Sequence, residues 1–167
     1  IIYPRGIFII KYDNNNVDEI LANSVQFIIE GLHEIMDNIR KRLSKLLDNT
    51  ETSVKLDFDE RNHWFLYCTN KRSETFKERL TNLNGKAIHL KDENQKTIQT
   101  FTKDDFTFKK KDGSSTMIIT KHTKTLSSEL IEYQEKLSKL NRNQWKTMTK
   151  HIFEEYKYLN HQAPYKK

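Results

Sequence analysis

Two long apolar stripes bracket this chain and limit the folds open to it more than any other feature. From Val17 onward, Val25, Ile28, Leu32, Ile35, Ile39, Leu43 and Leu46 follow one another at steps of three and four. Near the other end Leu126, Leu130, Tyr133, Leu137 and Leu140 do the same. Trp145, Met148, Ile152, Tyr156 and Leu159 resume the stripe after a break at Asn141–Asn143. Such steps keep side chains on one face of an α-helix, and their alternation is the coiled-coil period. The spacing predicts a helix over Val17–Asp48 and a second over about Leu126–Asn160, each roughly 50 Å long at about 1.5 Å per residue. Asn16 is the expected N-cap of the first helix, since its side-chain oxygen can accept orphan amides. Asp18 and Glu19 suit the positive end of the helix dipole, and Arg40, Lys41, Arg42 and Lys45 the negative end. Both helices are polar around most of their circumference, which favours a paired antiparallel arm. Leu32→Asp would then bury an unpaired charge in the seam.

Between the stripes the texture changes. Val54, Leu56 and Phe58 alternate with Lys55 and Asp57, and after the turn Glu60-Arg61-Asn62 comes Trp64-Phe65-Leu66-Tyr67-Cys68. This is a β-hairpin pattern. Lys71–Leu83 is a short amphipathic helix carried by Phe76, Leu80 and Leu83. Ala87–Leu90 and Thr97–Phe101 make a second hairpin around Asp92-Glu93-Asn94. Phe106–Phe108 and Thr116–Thr120 make a third, turning at Lys111-Asp112-Gly113-Ser114, where Asp-Gly is a turn signal. Trp64 and Phe65 are neighbours on a strand and cannot both face one side of it, so one of them should be exposed. The N-terminal Ile1–Tyr12 reads as extended, followed by a turn at Asp13–Asn16. The resulting fold class is α+β: two long antiparallel helices, residues 1–50 and 125–167, with a β-rich insert, residues 51–124, at their tip.

Composition narrows the function. Apolar residues make up 35% and charged residues 31%, which points to a thin core rather than a broad globule. With 4 Gly and 2 Pro, Gly-rich phosphate loops, collagen and Pro-rich linkers are excluded. The single Cys68 excludes a disulfide framework and a Cys-based zinc site, and fits a reducing compartment. No apolar run approaches the roughly 18 residues of a membrane span. The chain starts at Ile1 with neither an initiator Met nor a signal-peptide pattern, and reads as a piece of a longer, intracellular protein rather than a secreted one.

No catalytic or metal motif is present in the sequence: no phosphate loop, no G-x-S-x-G, no H-E-x-x-H. The adjacent acids Glu154-Glu155 and Asp104-Asp105 diverge from each other on a helix or strand, and no His stands at ligand spacing from another His or from Cys68. Cys68, in an apolar strand, is expected to be a core residue. Net charge is +6. Residues 51–124 hold 15 Lys and Arg against 11 Asp and Glu, so the insert carries most of the excess. Its candidate backbone-binding residues are Lys109, Lys110 and Lys111 beside a hairpin turn, Lys121 and Lys124 on the return strand and its exit, and Lys71 and Arg72 after the first hairpin. Lysines there can meet phosphates without reading bases. They can equally protect a sheet edge from aggregation. Trp64, Phe65 and Tyr67 could stack on single-stranded bases, but an alternating strand more simply buries them in a core.

The order helix, β-rich insert, returning helix resembles the lever and clamp region of the MutS mismatch-repair family. Tyr12-Asp13-Asn14-Asn15-Asn16-Val17-Asp18-Glu19-Ile20 is similar to the family's entry into its lever helix, with Val17 in place of the usual Leu. His63-Trp64-Phe65-Leu66-Tyr67-Cys68-Thr69 resembles the family's Gly-Tyr-x-apolar-x-apolar-Thr strand, with His63 where Gly is common. Asn70-Lys71-Arg72-Ser73 continues as in a divergent branch, and Leu126–Glu132 is similar to the re-entry into the second lever helix. The Lys, Asn and Ile bias would suit a viral or organellar branch.

The resemblance implies a non-catalytic clamp that grips double-stranded DNA by its backbone, on levers coupled to a distant ATPase. ATP and Mg²⁺ would belong to the parent protein, a homodimer, and no cofactor to this stretch. A DNA-containing compartment follows, whether nucleus, organelle or viral replication site, with no membrane partner. The family's Phe-x-Glu mismatch reader lies in a different domain, so Phe153-Glu154-Glu155 does not inherit that role. The alternative is a coiled-coil interaction module whose β-rich tip docks another protein.

Overall fold

The computed structural model describes residues 17–162, with side chains for 17–157. The extended segment expected at Ile1–Tyr12, the turn with its Asn16 cap and the side chain of Leu159 lie outside the described residues. The chain is α+β. Its elements are α1 (Val17–Asp48), β1 (Lys55–Asp59), β2 (His63–Thr69), α2 (Asn70–Asn82), β3 (Ile88–Lys91), β4 (Thr97–Phe101), a 3-10 turn (Lys103–Asp105), β5 (Thr107–Lys110), β6 (Ser115–Ile119) and α3 (Lys121–Gln162). Strands β1-β2-β6-β5 form one antiparallel sheet, and β3-β4 a separate hairpin. Two compact units result. One is residues 31–131; the other combines the described parts of residues 2–30 and 132–167. Among the described residues no helix is long and apolar enough to cross a membrane.

In the first unit, the end of α1 is tied to the chain that follows it. Ser44 Oγ accepts the Val54 amide at 2.9 Å. The Arg40 guanidinium donates to the carbonyls of Glu51 at 2.6 Å and Val54 at 3.1 Å, and to Asp37 at 2.9 Å. Asp48 accepts from Thr50 and, in a very short bond, from Ser53.

These polar ties explain why the buried face of α1 is not the expected one. The helix buries Ala22, Ile29, His33, Met36, Ile39, Leu43, Ser44 and Leu47, whereas Val25, Leu32 and Leu46 are half-buried and Ile28 and Ile35 exposed. The true stripe is turned by about one residue because His33, Arg40 and Ser44 lie on or beside it, and an apolar count passes over polar members. Leu32→Asp is therefore a mild change. Met36 is the sensitive position.

Strand β2 is buried on both faces. Trp64 and Phe65 are each only 6% exposed, against the expectation that one would face solvent. The Trp64 ring meets His33 of α1 edge-on at 4.7 Å and Phe58 at 5.2 Å, while Phe65 lies beside Tyr67 at 6.0 Å. On the Trp64 face, α2 docks through Phe76, which meets Phe106 at 5.4 Å and Phe108 at 5.9 Å. Phe101 extends the cluster to Phe106 and to His122 of α3, at 5.9 and 5.2 Å. Cys68 is buried in this layer, and burial pushes its thiol up to about 11, so it stays protonated and inert.

Burial lowers the His33 imidazole below its ordinary 6.5. The unfolded chain then takes a proton first as pH falls. The stability contributed by neutral His33 is complete above about pH 6.5 and is lost as pH falls from there toward the lowered folded value, at no more than about 1.4 kcal/mol per pH unit. Urea midpoints should fall between about pH 7.5 and pH 5.5, and His33→Gln should flatten that slope. Equal slopes in the two proteins would assign the dependence to other groups.

One local feature departs from the sequence expectation, the start of α3, and two others lie outside what that expectation specified. Helix α3 starts at Lys121, five residues early, so Lys121 and Lys124 sit in its first turn and not on a strand. The cause is a reciprocal cap. Thr120 Oγ1 accepts the Thr123 amide and Thr123 Oγ1 accepts the Thr120 amide, both at 3.0 Å. The β5–β6 loop is not built on left-handed Asp-Gly, since Gly113 keeps φ outside the positive range. The Asp112 carboxylate organises it instead, accepting from the Ser114 and Ser115 amides at 2.8 Å each. His63 takes φ 59° after the β1–β2 turn, a backbone most easily adopted by glycine.

In the second unit, α1 buries Ala22 and Ile29, and α3 buries Gln134, Leu137, Asn141 and Gln144. Helix α3 is continuous through Asn141–Asn143, where the apolar stripe was expected to break, and the polar Asn141 occupies its buried face there. Beyond Gln144 the expected stripe is not buried: Trp145, Ile152 and Tyr156 are exposed, with Phe153 beside them and Phe27 on α1.

Candidate nucleic-acid interface

The expected cations fall into separate groups within the first unit. One lies at the end of the sheet that carries the β5–β6 loop. There the Asn70 amide donates to the Ser114 carbonyl at 3.0 Å, and Thr116 Oγ1 donates to Asn70 Oδ1 at 2.7 Å. This docks the loop on the start of α2. Lys71 and Arg72 occupy the first turn of that helix, and Lys110 pairs with Thr116 across the sheet. Lys71 and Lys110 are exposed. Arg72 reaches Asp48 at 4.0 Å, a weak and exposed pair. Lys111 is occupied: its ammonium lies 4.5 Å from the Tyr67 ring centre and 3.4 Å from Asp112.

Successive residues of a strand point to opposite faces, so Lys109 and Lys110 diverge. Phe108 and Lys110 share the α2 face, and Lys109 lies on the other. Lys109 there lines a cavity of about 350 Å³ with Lys124 of α3, Arg61 and His63 of the first hairpin, and Ser128. Phe65, Met117 and Ile119 also line it. Ser127, on the same wall, accepts the Trp64 amide at 3.0 Å and so ties α3 to β2. Asp59 is near but turned to its own loop, where hydrogen bonds from Asn62 and Arg61 hold its carboxyl below the usual carboxylate range.

Helices α2 and α3 share an electrostatic oddity. The first turn of each contains no acid. Basic residues stand there instead, Lys71 and Arg72 in α2 and Lys121 and Lys124 in α3, where the dipole favours negative charge. Such an arrangement costs stability unless an anion accompanies it.

Sequence reasoning missed Arg61 and His63. The β2–β6 pairing, Leu66 opposite Ile118, sets the start of β2 beside the end of β6 and the start of α3. Pairing those strands by their patterns would have brought Arg61 toward Lys124.

Among the described residues no group of three His, Cys, Asp or Glu side chains could hold a metal. No protein-family model matches the chain, and no curated protein matches it.

Proposed function

We propose that this chain is the non-catalytic, DNA-gripping part of a MutS-like protein, holding duplex DNA by its phosphates without sequence preference. The observation that carries the reading is the start of α2 and α3, where Lys71, Arg72, Lys121 and Lys124 stand at helix N-termini without a compensating acid in either first turn. A polyanion relieves that repulsion, and phosphates are favoured at such termini. Support from the resemblance is twofold. The element order follows the family's helix, insert and returning helix. His63, where the family favours Gly, has a positive φ of 59°. In this reading α1 and α3 act as levers that couple the clamp to an ATPase elsewhere in the longer protein, within a DNA-containing compartment.

A second reading is that the β-rich unit docks another protein. It is favoured by a groove of about 970 Å³ between α1 and the β3–β4 hairpin, where Ile35 and Ile98 are exposed at 38% and 51%. Salt separates the two readings. DNA affinity should fall steeply with salt, and Lys71→Ala/Lys110→Ala should lower the log–log slope by about 1.8, at about 0.9 per phosphate contact. All duplex sequences should weaken about equally. Titration of duplex DNA at several salt concentrations measures this. An unchanged slope removes these lysines from a DNA interface and promotes protein docking through the groove.

A further inference from the structure

We infer that the cavity lined by Arg61, Lys109 and Lys124 is an oxyanion seat that takes one phosphate group. Three cations reach it from three separate segments: the β1–β2 turn, strand β5 and the first turns of α3. Among the described residues no carboxylate lines it. None of the three side chains has an ion pair among the described residues, unlike Lys111, which Asp112 and Tyr67 occupy. His63 lines the same cavity, and among the described residues its Nδ1 is buried without a hydrogen-bond partner, a state that costs free energy until a partner arrives. Ser128 adds an exposed hydroxyl at the rim.

The chemistry of this set selects a phosphate over a carboxylate. Three positive groups exceed what one negative charge needs, whereas a phosphate offers up to two charges and several oxygens pointing in different directions. Arg61 supplies a planar fork for two of those oxygens, and the lysines act as point charges on the others. At about 350 Å³ the cavity falls within the roughly 300–1,000 Å³ of small-ligand sites. It therefore has room for the group to which the phosphate is attached. Two sources share this chemistry, a phosphate of the DNA backbone and a free phosphate compound. The inference rests on the clamp reading only for the first of them.

The probe is inorganic phosphate, titrated into the whole chain at constant ionic strength and followed by amide and His63 ring shifts in NMR. Saturable shifts at His63, Lys124 and Ser128 are expected with phosphate and not with chloride. Lys109→Ala/Lys124→Ala, both exposed positions, should weaken that binding at least tenfold, and Lys71→Ala/Lys110→Ala should leave it unchanged. A second arm adds phosphate to the chain bound to duplex DNA. Competition, with weaker DNA binding by Lys109→Ala/Lys124→Ala, supports a backbone phosphate as the occupant. Saturable phosphate binding without any effect on DNA supports a free phosphate compound. Absent shifts, or shifts equal to those with chloride, overturn the seat, even where DNA binding and its salt slope persist.

Discussion

Met36→Asp should destabilise the protein by about 3–5 kcal/mol, the cost of leaving a charge buried without a partner. Met36 has no exposed surface. Its neighbours within two turns on the same stripe, Ile29, His33, Ile39 and Leu43, are buried as well, so the carboxylate finds no water, and Arg40 one turn on is already engaged by Asp37 and the Glu51 and Val54 carbonyls. Natural domains have only about 5–15 kcal/mol in total, which makes this one change enough to leave a large unfolded fraction. Ile35→Asp is the matched control. It alters the same helix one residue earlier, at a side chain 38% exposed, and should cost about 1 kcal/mol. Urea unfolding followed by helical circular dichroism compares the two. Equal losses would show that the buried face of α1 is centred elsewhere, on the stripe through Leu32 and Ile35.

Phe76→Ala should cost about 3–5 kcal/mol, the range for emptying a buried aromatic site. Phe76 is fully buried and meets both Phe106 and Phe108. Its removal costs the transfer of the ring and opens a cavity that the stiff sheet cannot close. Phe76→Leu should recover much of the loss. Phe27, 77% exposed on α1, provides the contrast, and Phe27→Ala should stay within about 0.5 kcal/mol of the parent. A small effect at Phe76 would mean that α2 contributes little to the core of its unit. The cationic start of that helix would then be held less firmly than a DNA clamp requires.

The candidate interface was half legible in advance. Lysines near the third hairpin stand out as a charge run, but a run does not say where each side chain goes. Lys109, Lys110 and Lys111 are consecutive, and the strand sends the first to the cavity and the second to the α2 face. The loop turns the third back onto Tyr67. Arg61 carries no signal by itself. It matters because antiparallel pairing brings a turn near residue 61 beside the start of a helix near residue 124.

What the sequence determined alone is everything that depends on near neighbours along the chain. The bounds of α1, the existence of all three hairpins and the position of α2 follow from periodicity and turn chemistry within about a dozen residues. The start of α3 was also written locally, in Thr120 and Thr123, but in hydroxyls at both cap positions instead of the usual acid at the second. Tertiary structure decided the rest. Which face of α1 is buried depended on His33 meeting Trp64 and on Ser44 and Arg40 bonding to the chain around Val54. Polar residues can enter a core only where a distant partner satisfies them. The burial of both Trp64 and Phe65 likewise required cover on two sides of one strand, and the gathering of Arg61, Lys109 and Lys124 required three segments to meet. A helical or strand period leaves such choices open, because it constrains which residues share a face and not what that face will meet.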